Sequence, residues 1–256
     1  MTQELELLDK KKLATQSKRG LVISDLHLFS SRSNGFSLMD EIWNDLSKLD
    51  VLVLNGDIFD FRWSQLTSEE ETINEALKWL QKVVEISDDI QIHYIIGNHD
   101  CIVDFTKSIK EFSKNHPHLE IHDTQLILDR LLFIHGDCTN WNMSGNDLLR
   151  FRDSWSQKKM SPRSHLYLYN VMDKLGLSKG FHNCYYPRYV TVKRVAHHLD
   201  TILPDWRNSI DDCYFGHTHL PFSDYSLEGV RFHNTGSGIR GMKFIPLHFQ
   251  INPHSN

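Results

Sequence analysis

The stretch Gly20-Leu21-Val22-Ile23-Ser24-Asp25-Leu26-His27 decides how the rest of the chain is read. An apolar run of strand-forming residues stops at Asp25 and His27, and strand alternation turns side chains two apart to the same side. Both can therefore face one object. A carboxylate oxygen and an imidazole nitrogen suit a divalent ion of the Mn/Fe/Zn type better than Mg or Ca, which prefer oxygen alone. An Asp-x-His alone is weak in a chain with 16 histidines, so its weight depends on how the later strands end.

They end the same way. Helical spacing of Phe36, Met39, Ile42, Trp43, Leu46 and Leu49 returns the chain to a second strand, Val51–Leu54, which runs into Asn55-Gly56-Asp57-Ile58-Phe59-Asp60. Ile73, Ala76, Leu77, Leu80, Val83 and Val84 mark the next helix, and a third strand, Ile92–Ile96, stops at Gly97-Asn98-His99-Asp100. This β-α-β-α-β order predicts a largely parallel sheet with ligands outside the carboxyl ends of its strands. A helix near 103–114 follows, then short strands near 119–122, 125–129 and 131–134, the last finishing in His135-Gly136-Asp137. Residues 141–211 read as helical and irregular. Tyr214-Phe215 then leads into Gly216-His217-Thr218-His219, and strands near 230–233 and 243–251 close the chain.

The 256 residues can bury a sizeable core as one α/β domain carrying an insertion at about 141–211. A net charge of −5 and an ordinary apolar fraction exclude a disordered chain and a wholly basic nucleic-acid binder. Residues 1–19, polar and Lys-rich, read as a flexible tail, and a cytoplasmic location is expected. Cys101, Cys138, Cys184 and Cys213 are too scattered for a zinc ribbon or a disulfide framework.

Asp25, His27, Asp57, Asn98, His135, His217 and His219 are too many ligands for one tetrahedral ion. They suit two divalent ions, Mn2+ first with Fe or Zn as alternatives, with Asp57 as the bridge and a hydroxide between. His99 and Asp100 remain, a histidine oriented by a carboxylate beside the ions and placed to protonate a leaving oxygen. Asp25-x-His27, Gly56-Asp57-x-x-Asp60, Gly97-Asn98-His99-Asp100, His135-Gly136-Asp137 and Gly216-His217-x-His219, in that order, resemble the motifs of the calcineurin-like metallophosphoesterases. The resemblance implies a four-layer α-β-β-α sandwich of two packed sheets. It also implies one ion on Asp25, His27, Asp57 and His219 and another on Asp57, Asn98, His135 and His217. Asp60, where many relatives carry another residue, reads as bracing a ligand.

Within that superfamily the layout is similar to that of the UDP-2,3-diacylglucosamine pyrophosphohydrolases, from Ser24-Asp25-Leu26-His27-Leu28 through Gly216-His217-Thr218-His219-Leu220-Pro221. Those enzymes usually have arginine at the place of His99, which leaves the substrate open while implying a phosphohydrolase. The insertion holds eleven Lys/Arg against six Asp/Glu, a balance of +5, so the rest of the chain carries 17 minus 27, or −10. That asymmetry favours an anionic substrate drawn beneath a lid, either a small molecule or a lipid-linked one with peripheral membrane contact. Arg62, Arg150, Arg188, Lys193 and Arg194 are the candidate phosphate contacts, each also readable as surface charge. The insertion's ten aromatics, including Tyr167, Tyr169 and Phe181, form either its own core or a wall for substrate. A nuclease or phosphodiesterase would use the same ions, but acidic charge and a compact basic region fit nucleic acid poorly. A non-catalytic scaffold of the same fold would be expected to lack ligands, and none is missing.

Overall fold

The computed structural model describes residues 17–162, 180 and 184–252. Residues 1–16 of the expected tail, and Tyr167, Tyr169 and Phe181 of the insertion, lie outside the described residues.

Strands β1 (Lys18–Ile23), β2 (Val51–Asn55), β3 (Gln91–Ile95) and β4 (Leu119–His122) run parallel, joined by α1 (Gly35–Leu46), α2 (Glu69–Val84) and α3 (Val103–Ser113). Ser68 caps α2 by accepting the Glu71 amide, and Glu69, Glu70 and Glu71 complement the positive end of the helix dipole. The final strand, β10 (Leu247–Ile251), adds antiparallel to β1, giving the order β10-β1-β2-β3-β4. A second sheet has the order β5-β6-β7-β9-β8, built from β5 (Gln125–Leu128), β6 (Leu131–Ile134), β7 (Asp212–Phe215), β8 (Phe222–Leu227) and β9 (Val230–Asn234). Its inner pairs are parallel and its two edge pairs antiparallel, so both sheets are mixed.

Alternation along the strands builds the layers. Leu21, Ile23, Leu52, Leu54, Ile92 and Tyr94 pack with α1, α2 and α3, while Val22, Val53 and Ile95 turn the other way, with Phe249 of β10, onto Phe133 and Tyr214 of the facing sheet. On the far side of the second sheet Leu132, Cys213, Phe215 and Phe232 pack against Leu148 of α4 (Gly145–Ser156), Val192, Val195 and Leu199 of α5 (Arg188–Ile202), and Trp206 of α6 (Trp206–Ser209). Helices, sheet, sheet, helices is the order of the four layers. Helices α4 to α6, expected as part of a lid, also supply the outer layer that covers this second sheet.

Two expectations shift. β8 has no counterpart in the sequence reading, and the last strand starts at Leu247 instead of residue 243. Both sheets bring their β-strand carboxyl ends to one rim, where Asp25, Asp57, Asn98, His135 and His217 follow β1, β2, β3, β6 and β7.

Candidate metal centre

None of these side chains sits on a regular strand. β1 ends at Ile23, and the pleat therefore does not aim Asp25 and His27. The chain past the strand instead places Asp25 at φ 53°, His27 at 49°, Asp57 at 51°, His217 at 63° and His219 at 59°. Left-handed backbone is costly for a residue with a Cβ, about 1–3 kcal/mol each, and persists only where the surroundings over-determine it. Here they do. The Asp25 and His27 amides donate to the Gly56 and Asp57 carbonyls, both at 3.0 Å, which locks the first two loops together beyond their strands. The His217 amide donates to Asp25 Oδ1 and Oδ2 at 3.0 and 2.9 Å, and the His99 amide to Asp57 Oδ1 at 2.7 Å. A Cβ on Gly97 would collide with Asp57, and one on Gly216 with Asp25 and Ser24, so these two glycines allow the carboxylates to lie against the backbone.

Two sets of donor atoms result. In one, His219 Nε2 is 3.1 Å from His27 Nε2 and 3.3 Å from Asp25 Oδ1. In the other, His135 Nε2 is 3.3 Å from both Asp57 Oδ2 and Asn98 Oδ1, with His217 close enough to share an ion. Ligands at about 2.0–2.2 Å from a tetrahedral ion are about 3.3–3.6 Å apart, so both sets are close to coordination spacing without rearrangement. Asp57 Oδ2 also lies 3.9 Å from His27 Nε2. One carboxylate oxygen thus faces both sets, while Oδ1 is committed to the His99 amide.

The electrostatics fit a cationic occupant. Burial opposes charge on Asp57, yet His135 and His99 outweigh it and hold the carboxyl well below its usual range. Burial alone would draw His135 down, but Asp57 and Asp25 raise it to about 10. His217, buried and repelled by His135, is drawn down to about 4. Buried carboxylates held charged by imidazoles, with amide and imidazole acceptors beside them, make a donor set that two divalent cations satisfy directly.

His99 Nδ1 meets Asp60 Oδ1 at 3.0 Å, and Asp60 Oδ2 is 3.4 Å from His27 Nδ1. One carboxylate therefore orients both imidazoles, and burial of His99 is outweighed by Asp60 and Asp57, which raise it to about 8. The expectation that Asp100 plays this part is corrected. Asp100 is fully buried and accepts from Tyr94 Oη at 2.6 Å, the Gly97 amide at 2.5 Å and the Ile58 amide at 3.1 Å, so it pins the third loop to the second.

A cavity of about 570 Å³ opens over both donor sets, lined by Arg32 and Arg62 and by Trp141, Phe151, Trp155, Tyr185 and Tyr186. Part of the insertion's aromatic content thus faces the site, while Trp206 belongs to the core of the second sheet. Of the five expected phosphate contacts only Arg62 lines this cavity, its guanidinium 5.1 Å from the centre of the Trp155 ring. Arg150 stands on the outer surface of α4, 3.9 Å from Asp147. Arg188 lies over the Phe222 ring, Lys193 over Tyr189, and Arg194 donates to the Thr139 carbonyl at 2.7 Å. Lys193 and Arg194 line a separate depression of about 370 Å³ with Asp200 and Glu228, because helical spacing groups them without fixing which way the helix turns. A larger depression of about 840 Å³ lies at the amino ends of the strands, among Arg130, Asp211, Asp212 and Arg231, and holds none of these ligands.

Three contributors escaped the sequence reading. Asn140 Oδ1 sits 3.0 Å from His217 Nε2 and accepts from Tyr186 Oη at 2.6 Å. Arg32 lines the cavity from the loop after β1. Arg152, buried on α4, donates to Asp137 Oδ2 and Oδ1 at 2.7 and 2.9 Å, tying the helix to the His135-Gly136-Asp137 loop. Only the buried Asp137 gave a signal for the last, since a carboxylate there needs a cation.

The calcineurin-like phosphoesterase profile matches residues 19–221. No curated protein matches the chain. Among solved structures, a phosphopantetheinyl hydrolase from Mycobacterium tuberculosis aligns with 12% identity and a TM-score of 0.45, covering 94% of this chain and 98% of that one. A dimetal phosphatase from Danio rerio aligns with 10% identity and a TM-score of 0.46, covering 93% and 96%. A phosphoesterase from E. coli aligns with 15% identity and a TM-score of 0.34, covering 93% and 84%.

Proposed function

The chain belongs to the calcineurin-like phosphoesterase family, a metal-dependent hydrolase acting on phosphoester bonds, and on that premise we propose how its residues divide the work and what they act upon. Asp25, His27, Asp57 and His219 would hold one divalent cation and Asp57, Asn98, His135 and His217 the second, with Mn2+ the first choice and Fe or Zn the alternatives. The observation that carries this reading is the single oxygen, Asp57 Oδ2, lying 3.9 Å from His27 Nε2 and 3.3 Å from His135 Nε2. When bound there, two divalent cations would lower the pKa of water and offset charge on the phosphoryl group.

The chain's own groups do the rest. Asn98 contributes a neutral oxygen, which limits the negative charge that an anionic substrate meets. His99, with Nδ1 taken by Asp60, has Nε2 for the leaving oxygen and gives it a proton as the P–O bond breaks. Arg62 and Arg32, at the cavity wall, neutralise the remaining phosphate charge.

The substrate is an anionic phosphoester or diphosphate carrying an apolar or aromatic group, of which a UDP-2,3-diacylglucosamine-type diphosphate is one instance. Trp141 and Tyr185, 48% and 44% exposed at the cavity, support an amphiphilic partner. The test is hydrolysis of a chromogenic phosphodiester and of a series of nucleoside diphosphate esters with growing acyl chains, with Mn2+ present. Binding that improves with chain length, by about 0.8 kcal/mol per buried methylene, supports the amphiphilic substrate. Indifference to the chain leaves a generic phosphoesterase, and preferential cleavage of single-stranded DNA would turn the reading to a nuclease.

A further inference from the structure

A second group of metal-type ligands lies away from this centre, on the edge of the first sheet. β3 and β4 pair in parallel with His93 opposite Glu120 and Ile95 opposite His122. Residues two apart share a face, so Glu120 and His122 point the same way as His93 and Ile95, and Ile95 belongs to the core between the sheets. His93 Nδ1 is 3.1 Å from His122 Nε2 and 3.5 Å from Glu120 Oε2, and His122 Nε2 is 3.8 Å from that same oxygen. Two ligands of a tetrahedral ion at about 2.0–2.2 Å are about 3.3–3.6 Å apart. The three atoms therefore outline one face of a coordination tetrahedron.

We propose that His93, Glu120 and His122 form a third metal site, independent of the phosphoesterase centre, that takes one Zn2+-type transition ion and leaves its fourth position to water. The two nitrogens select a borderline transition ion over Mg or Ca, which prefer oxygen alone. Both imidazoles are kept in the neutral, ligating form: burial, His122 and Lys18 draw His93 down to about 4, and burial draws His122 down. Lys18 is the charge that opposes a cation here, and Glu120 and Asp123 lie on the other side of that balance. Access is from solvent, since His93 is nearly enclosed at 5% while His122 and Glu120 are 20% and 56% exposed.

The site spans the junction between β3 and the edge strand β4, where the Ile96 amide also donates to the His122 carbonyl at 3.0 Å. β3 leads directly into Gly97-Asn98-His99-Asp100. An ion here fastens the edge strand beside that segment, and its ligands touch neither reacting atoms nor the dinuclear ligands.

The test is a Zn2+ titration of the untagged full chain after chelator stripping, with bound metal measured per chain in the native protein and in the double variant His93→Gln/His122→Gln. The native chain is expected to hold one equivalent more than the variant, whatever the occupancy of the dinuclear centre. Glu120→Gln, on the exposed rim where folding is undisturbed, is expected to weaken that one equivalent about tenfold or more. Equal zinc content in the native chain and the double variant, or an affinity unmoved by Glu120→Gln, overturns the proposal.

Discussion

Asp57→Asn should lower the occupancy of both ions at the dinuclear centre, because an amide cannot supply the charge that Asp57 Oδ2 offers to both donor sets. Asp25→Asn should weaken mainly one, and elemental analysis of each variant distinguishes the two. His99→Gln is expected to keep the dinuclear metal content and lose about 100-fold in kcat, with the loss shrinking for esters of good leaving groups. Asp60→Asn should give a milder version of that loss, about 10–100-fold, because it frees the His99 and His27 rings without removing them. The candidate ligand types were legible because they cluster just past strand ends, at Asp57, Asn98 and His217 directly after a glycine. Their aim was not, since it comes from left-handed backbone at Asp25, His27, Asp57, His217 and His219, a conformation that no spacing rule announces. Asp60 and Asp100 show the same limit: Asp100 is next to His99 in sequence and Asp60 is 39 residues away, and only the folded loops decide that Asp60 touches the ring while Asp100 turns to Tyr94.

Helix α4 is tied to the His135-Gly136-Asp137 loop by the buried Arg152–Asp137 pair. Arg152→Met would leave Asp137 buried without its guanidinium, and a destabilisation of about 3–5 kcal/mol is expected in urea unfolding, with a smaller cost when Asp137→Asn accompanies it. β7 and β9 are joined by a comparable device, Asp212 with Arg231 and His233 at 2.7 and 2.8 Å. Burial opposes charge on Asp212, but His233 and Arg231 lower it from 3.8 to about 2. A depressed carboxyl contributes stability above its unfolded value that is lost as pH falls through its folded one. Asp212→Asn should therefore flatten the decline in stability between about pH 4 and pH 2. Apolar periodicity located α1, α2 and the parallel strands, because their buried faces repeat at 3.6 or 2. β8 stayed hidden because the edge strand Phe222–Leu227 alternates mostly polar residues, bends at Asp224 and is held by pairing with β9 through the turn at Glu228-Gly229.

At the scale of the molecule, the layered sandwich brings five loops from two sheets to one rim, and the insertion both covers the second sheet and walls the cavity. No helix among the described residues is long and apolar enough to cross a membrane. The charge contrast between the insertion and the rest of the chain was legible, but not its distribution: Lys193 and Arg194 turn to a separate depression, and Arg62 and Arg32 face the ligands. Trp141→Ala should accordingly raise KM for an acylated or aromatic phosphate ester several-fold while leaving kcat on a small chromogenic ester nearly unchanged. Lys193→Ala should change neither. The most direct measurement is turnover of a chromogenic phosphodiester by chelator-stripped His93→Gln/His122→Gln protein as Mn2+ is added back, read against bound metal per chain. Activity absent from the stripped protein and rising to a plateau at two bound ions is the expected result. Full turnover in the stripped protein, or a plateau at one ion, would contradict a dinuclear centre bridged by Asp57.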